Sequence, residues 1–215
     1  MNRFGSGLIL ILLACAGIAI AAEEVKVTCK NVWGDTEKKI NYLEGDVRIV
    51  QGTTVITTER AQVDTDQKKA VFEAKVKLTH PEVTIEADGL EYDLKKKVGT
   101  FKKKVVMNRN RIKAAEGQKA KDPFKLFAEE LYFETDTKDF TAQACRIEHR
   151  DFTGEAVNIE YNDRLQELWL KNNARLIRPQ GEIIRGNRIK INISDKSFRV
   201  FDSVSVEFEV EEESG

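Results

Sequence analysis

Histidine and cysteine are scarce in this chain of 215 residues, and the motifs built on them are missing. Its 2 histidines are His80, beside Pro81 in a turn, and His149, near Asp151. No H-E-x-x-H, G-x-S-x-G or phosphate-cradling P-loop occurs, so catalysis finds little support in the motifs. The carboxylates fall on polar positions without a cluster, so no catalytic residue, cofactor or metal is expected. A β-helix enzyme acting on polysaccharide is the one catalytic alternative. An excess charge of one sign is also lacking: 35 Lys and Arg stand against 36 Asp and Glu, a net −1. Aromatic residues do not interleave the basic stretch described below, so nucleic acid is not an expected partner.

Long apolar runs are absent except at the start, where Asn2 and Arg3 precede an uncharged run from Phe4 to Ala22. A basic n-region, an apolar segment around Leu8 to Leu13 and an A-x-A site at Ala19 and Ala21 read as a cleaved secretory signal over 1–22. A retained membrane anchor and a lipoprotein site at Cys15, after "LLAC", are the rivals. Cleavage leaves Cys29 and Cys145 as the mature cysteines. One pair does not make a disulfide scaffold, and two small buried apolar side chains is the simpler reading.

What fills the rest is a period of 2. In Ala70, Phe72, Ala74, Val76 and Leu78 alternate residues are apolar, as in a strand with one dry face. The pattern recurs at a step of 29 residues: "VKVTCKNVWGDTEKKINYLEGDVRI" from Val25, "TVITTERAQVDTDQKKAVFEAKVKL" from Thr54, "VTIEADGLEYDLKKKVGTFKKKVVM" from Val83. The overlay gives columns: Leu43, Phe72, Phe101; Val47, Val76, Val105; Ile49, Leu78, Met107; Val27, Ile56, Ile85; Val32, Ala61, Leu90. Each unit reads strand, turn, strand. Asp35, Asp64 and Asp93 mark the turns, and one carboxylate per turn suits Asx-turn chemistry rather than calcium.

A fourth unit opens with Ala128, Leu131 and Phe133, displaced by an insertion of about 12 residues near 108–125. In its second strand Phe140, Ala142 and Ala144 keep one parity while Cys145 and Ile147 keep the other, which predicts a bulge. Two further units place Ile159, Tyr161, Leu168, Leu170, Ala174 and Leu176, then Ile189, Ile191, Phe198, Val200, Val204 and Val206, on the columns. About six two-stranded units follow, none able to bury its dry face alone, so stacking makes one continuous core over 23–208. Alternation alone leaves two facing sheets or a solenoid open. The ends, "VKVTC" and the strand running into the acidic tail 209–215, are edges to which a partner strand could add.

Between Gly89 and Lys125 twelve Lys or Arg stand against four acids, a local +8. A solvated rim that keeps edges apart is one reading; contact with phosphates through Lys95, Lys102, Lys104, Arg109 and Arg111 is the other. Lys103 is singular, because its parity points it inward.

"YLEGDVRI" at Tyr42–Ile49, with the two alternating units after it, resembles the LptA/OstA-like periplasmic lipopolysaccharide transport proteins. The likeness covers most of the mature chain and departs from it in the basic insertion. It implies an elongated open β-jellyroll whose interior shelters lipid A acyl chains on the way from inner to outer membrane. The lipid-facing residues would be Leu43, Val47, Ile49, Ile56, Phe72, Val76, Leu78, Ile85, Leu90, Phe101, Val105, Met107, Phe133, Tyr161, Leu170 and Leu176. The implied partners are lipopolysaccharide, an inner-membrane LptC-like protein with its ABC transporter complex, an outer-membrane LptD-like translocon, and further copies joined head to tail. Two alternatives stand beside it: a membrane-anchored LptC-like relative of the same fold, and a structural or adhesive β-repeat protein without cargo.

Overall fold

A computed structural model describes residues 24–113 and 120–208; the expected signal and acidic tail, and residues 114–119 of the insertion, lie outside them. Sixteen strands follow in chain order. They are β1 (Val25–Thr28), β2 (Asn31–Asp35), β3 (Ile40–Gln51), β4 (Thr54–Asp64), β5 (Lys69–Phe72), β6 (Val76–His80), β7 (Val83–Ala87) and β8 (Gly89–Asp93). The second half comprises β9 (Val98–Arg109), β10 (Phe124–Glu134), β11 (Phe140–His149), β12 (Phe152–Asn162), β13 (Glu167–Ile177), β14 (Ile183–Asn192), β15 (Ser197–Phe201) and β16 (Ser205–Glu207). Every pairing is antiparallel between near neighbours in the chain, so the fold is a stack of hairpins.

The stack has six turns, five of them of one design, the exception opening at Glu134. Asp35 Oδ1 accepts the N–H groups of Glu37 and Lys38; Asp64 and Asp93 do the same for Asp66 and Gln67, and for Lys95 and Lys96. Asn162 and Asn192 take that place in the last two turns. Each turn closes on a left-handed residue: Lys39, Lys68, Lys97, Lys138, Gln166 and Lys196 have φ between 51° and 67°. Successive turns are laced together, since Thr65, Leu94, Thr135 and Ile193 donate N–H to the carbonyls of Lys39, Lys68, Lys97 and Gln166. The turn carboxylates are thus spent on backbone.

Ten residues beyond the turn, most units bend again. Gly45–Asp46, Lys103–Lys104, Asn172–Asn173 and Asp202–Ser203 are consecutive left-handed pairs, with φ from 48° to 77°. In the second unit the chain leaves the ladder between β5 and β6. Register slips by one at these places, as between Glu44 and Val47 or Lys171 and Ala174. Each long strand is thereby folded into a limb toward the turn and a limb toward the hairpin, and the two limbs face each other. Phe124 of a hairpin limb lies 5.3 Å edge-on to Tyr161 and 6.1 Å from Phe140, both of turn limbs. The result is an open-ended β-jellyroll of six stacked units, with a single core running from Leu43 to Ile193.

Two expectations change in detail. At Ala144 the parity does switch, with Cys145 buried and Ala144 exposed at φ 48°. The register with β10 and β12 is nevertheless the same on both sides of it, so a left-handed kink, not an inserted residue, does the switching. Lys103 does not point inward. Its parity was counted along an extended strand, whereas the Lys103–Lys104 bend turns both side chains to solvent. The two cysteines among the described residues are free: Cys145 is buried and Cys29 half-buried against the core. Burial pushes the Cys145 thiol up to about 12, leaving it protonated and inert.

Candidate functional site

The sixteen residues expected on the dry face are all buried, none above 5% exposed. They alternate with wet residues because adjacent side chains in a strand leave opposite faces. Across the stack they pair with one another in rows, such as Leu43 with Ala61, Phe72 with Leu90 and then Phe101, and Phe101 with Leu131. A second row runs Ile49, Ile56, Leu78, Ile85, Met107, Leu126 and Ile147 along the facing limbs. The two rows enclose an uninterrupted apolar interior. Polar groups enter it only near the tips of the limbs.

Those tips form a seam, where each hairpin meets the turn two units further on. Gln51 Nε2, at a hairpin tip, donates to the carbonyl of Leu94 at 2.9 Å. Lys138, 8% exposed, lies in the field of Glu82 in the next hairpin, and burial lowers its pKa. At the third crossing Arg109 Nη2 reaches Asp163 Oδ1 at 2.6 Å and Glu82 Oε2 at 2.9 Å. Lys121 also pairs with Asp163, which further accepts from the Tyr161 hydroxyl at 3.4 Å. At the fourth, Lys196 lies 3.7 Å from Asp151. Sequence reasoning missed this bolt. Asp163 and Glu82 lie 81 positions apart in the chain, and nothing in a one-unit pattern couples a hairpin to a turn two units away.

The candidate phosphate contacts scatter. Lys95 and Arg111 are exposed. Lys102 pairs with Glu91 at 2.6 Å and Lys104 with Asp88 at 3.3 Å, both at the surface. Arg109 departs from expectation: its side chain is 2% exposed and already holds two carboxylates, so it serves the seam instead of the rim. Local charge counting could not separate a bolt from a patch, because the neutralising Asp163 comes from far along the chain.

At the two ends, β1 and β2 pair only with β3, and β15 and β16 only with β14. The column residues Phe198, Val204 and Val206 are 37%, 55% and 47% exposed, because among the described residues no later strand covers them. Among the described residues no helix is long and apolar enough to cross a membrane.

This geometry, six units around one apolar core with strands paired on one side only at each end, agrees with what the sequence matches. The family model described as LptA/(LptD N-terminal domain) LPS transport protein matches residues 84–197, more than half of the chain. The chain belongs to that lipopolysaccharide transport family. The LptC-related lipopolysaccharide-assembly model matches residues 21–110 of this family member, overlapping the first in the third unit. Among solved structures it is similar to LptH, described as the LptA homologous periplasmic component of the lipopolysaccharide transport device of Pseudomonas aeruginosa. That match has 12% identity and covers 87% of this chain and 96% of the other, with a TM-score of 0.26. At that score the likeness carries no structural argument. No curated protein matches this family member.

Proposed function

We propose that this family member is a periplasmic bridge that shelters the acyl chains of lipopolysaccharide between its two faces of limbs. The observation that carries this reading is the continuous apolar interior, from Leu43 in the first unit to Ile191 in the last. Exposing a twelve-carbon chain to water costs on the order of 10 kcal/mol, at ~0.8 kcal/mol per methylene. An interior of this length removes that cost along the whole path. The lipid-facing residues are the sixteen named above; Lys95, Lys102, Lys104 and Arg111 would meet phosphate at the rim. The uncovered strands β1, β2, β15 and β16 would take partners by strand addition: an LptC-like protein of the inner-membrane transporter complex, an LptD-like translocon of the outer membrane, or further copies. Residues 1–22 would be a cleaved export signal and 23–208 the jellyroll.

Photo-crosslinking in cells tests the cargo. A photoreactive side chain at Phe101 or Val105 should give adducts carrying lipopolysaccharide, while Lys102 and Val106, on the wet face, should not. A folded, exported protein without adducts at any interior position would leave these residues as ordinary core and favour a structural β-repeat. The match to the LptC-related model makes the anchored relative the second reading. The mass of the exported protein separates the two, because cleavage near Ala22 removes the apolar segment.

A further inference from the structure

Among the described residues, the first three crossings of the seam are closed by buried groups, and the fourth is not. There the hairpin between β11 and β12 faces the sixth turn across one long contact, Lys196 to Asp151 at 3.7 Å, between side chains 59% and 39% exposed. Behind it lies a cavity of about 210 Å³. Its floor is Phe152, Leu176, Ile191 and Ile193, all members of the continuous core, and half-exposed Phe198 forms its lip. Its rim carries Arg178, Lys196 and Asp151, and Glu182 beside it holds Arg178 at 3.0 Å.

The wall holds an unusual histidine. The His149 side chain is 1% exposed and lies tilted against Phe152, ring centroids 5.0 Å apart. Its Nδ1 accepts the N–H of Asp151 at 3.2 Å, so in the neutral ring the proton sits on Nε2. Nε2 has no hydrogen-bond partner among the described residues. The nearest carboxylate oxygen, Asp122 Oδ2, is 4.0 Å away and already bound by Arg150 at 2.9 Å. A buried donor without an acceptor is uncommon and calls for an explanation.

We propose that this cavity is a lateral portal through which an acyl chain of an anionic glycolipid enters the interior. The chain would lie on Phe152, Leu176 and Ile193, with the headgroup oxyanion on Lys196 and Arg178. The source of the chain rests on the cargo reading above; the site itself requires only a methylene chain next to an oxyanion. A free phosphate would gain nothing from the apolar floor, and an uncharged chain would leave Arg178 only its link to Glu182, at 3.0 Å, and Lys196 only its long one to Asp151, at 3.7 Å. Because the floor belongs to the core, a chain that enters here continues between the limbs without crossing a polar layer.

The test is a titration of the full chain with dodecanoate, dodecanol and purified lipopolysaccharide, followed by the methyl NMR signals of Leu176, Ile191 and Ile193 and the His149 ring. Dodecanoate should shift these signals before any others. Replacing both exposed rim cations, Arg178→Glu with Lys196→Glu, should weaken dodecanoate about tenfold and leave dodecanol unchanged. Unmoved portal signals, or an affinity indifferent to the rim charges, overturns the proposal. Lipopolysaccharide that shifts Val105 and Leu131 but not the portal overturns the portal and leaves the bridge standing. Dodecanoate binding at the portal without any lipopolysaccharide binding overturns the glycolipid source and the bridge together.

Discussion

Asp163 concentrates the cost of opening the seam. Its side chain is 5% exposed and faces two cations, Arg109 and Lys121, drawn from opposite ends of the insertion. Removing one partner of a buried pair leaves an uncompensated charge, so Asp163→Ala should destabilise the protein by about 3–5 kcal/mol in urea unfolding. By contrast Lys39 with Asp66, half-exposed at 3.0 Å, is worth less than ~1 kcal/mol, and Lys39→Ala should barely move the midpoint. Phe101, fully buried in the middle of the apolar rows, should cost about 3–5 kcal/mol as Phe101→Ala.

The histidines set a pH dependence of known sign. Burial lowers the pKa of both His149 and His80 from the ordinary value of 6.5. The unfolded chain therefore binds protons in a range where the folded one does not, and stability falls as pH drops through about 6.5. The loss levels off below the folded-state values. Urea midpoints should be lower at pH 5.5 than at pH 7.5, and a His80→Gln, His149→Gln double variant should flatten that slope.

At the scale of the elements, the left-handed bends are the strained parts. Among the described residues Ala144 is the one alanine with positive φ, on an exposed side of its bend. An L-residue there costs roughly 1–2 kcal/mol, against about 0.5–1 kcal/mol of extra unfolded entropy for glycine. Ala144→Gly should accordingly raise stability by ~0.5–1 kcal/mol, and Ala144→Val should lower it. Gly45 gives the converse: at φ 77°, a Cβ would lie 2.8 Å from the Lys30 side chain. The strands and turns were legible in the sequence because both carry local signals, a period of 2 and an Asp followed three or four residues on by a lysine. The bends were only partly so. Glycine marks one, two asparagines another, two lysines a third, and a lysine pair gives no local sign that a strand will fold over there.

At the scale of the whole molecule the uncovered C-terminal edge matters most. Val206 is 47% and Phe208 69% exposed in a segment paired only to β14. A charge there blocks strand addition more than it disturbs the fold. Val206→Lys should abolish any concentration-dependent growth in light scattering while leaving the urea midpoint within about 0.5 kcal/mol of the parent. Growth unchanged by the substitution would move the contact to another surface.

The sequence by itself determined what repeats: alternation fixed which side chains share a face along most strands, the 29-residue step fixed the first three units, and their Asp-led turns fixed where each of these reverses. All of these are interactions within one unit or between neighbours, and a linear pattern records them. Only the tertiary structure decided how the limbs close. The meeting of each hairpin with a turn two units away, the burial of Arg109 against Asp163, and the cavity beside His149 arise from the angle at which bent strands stack. That angle is summed over several bends, and no single residue encodes it.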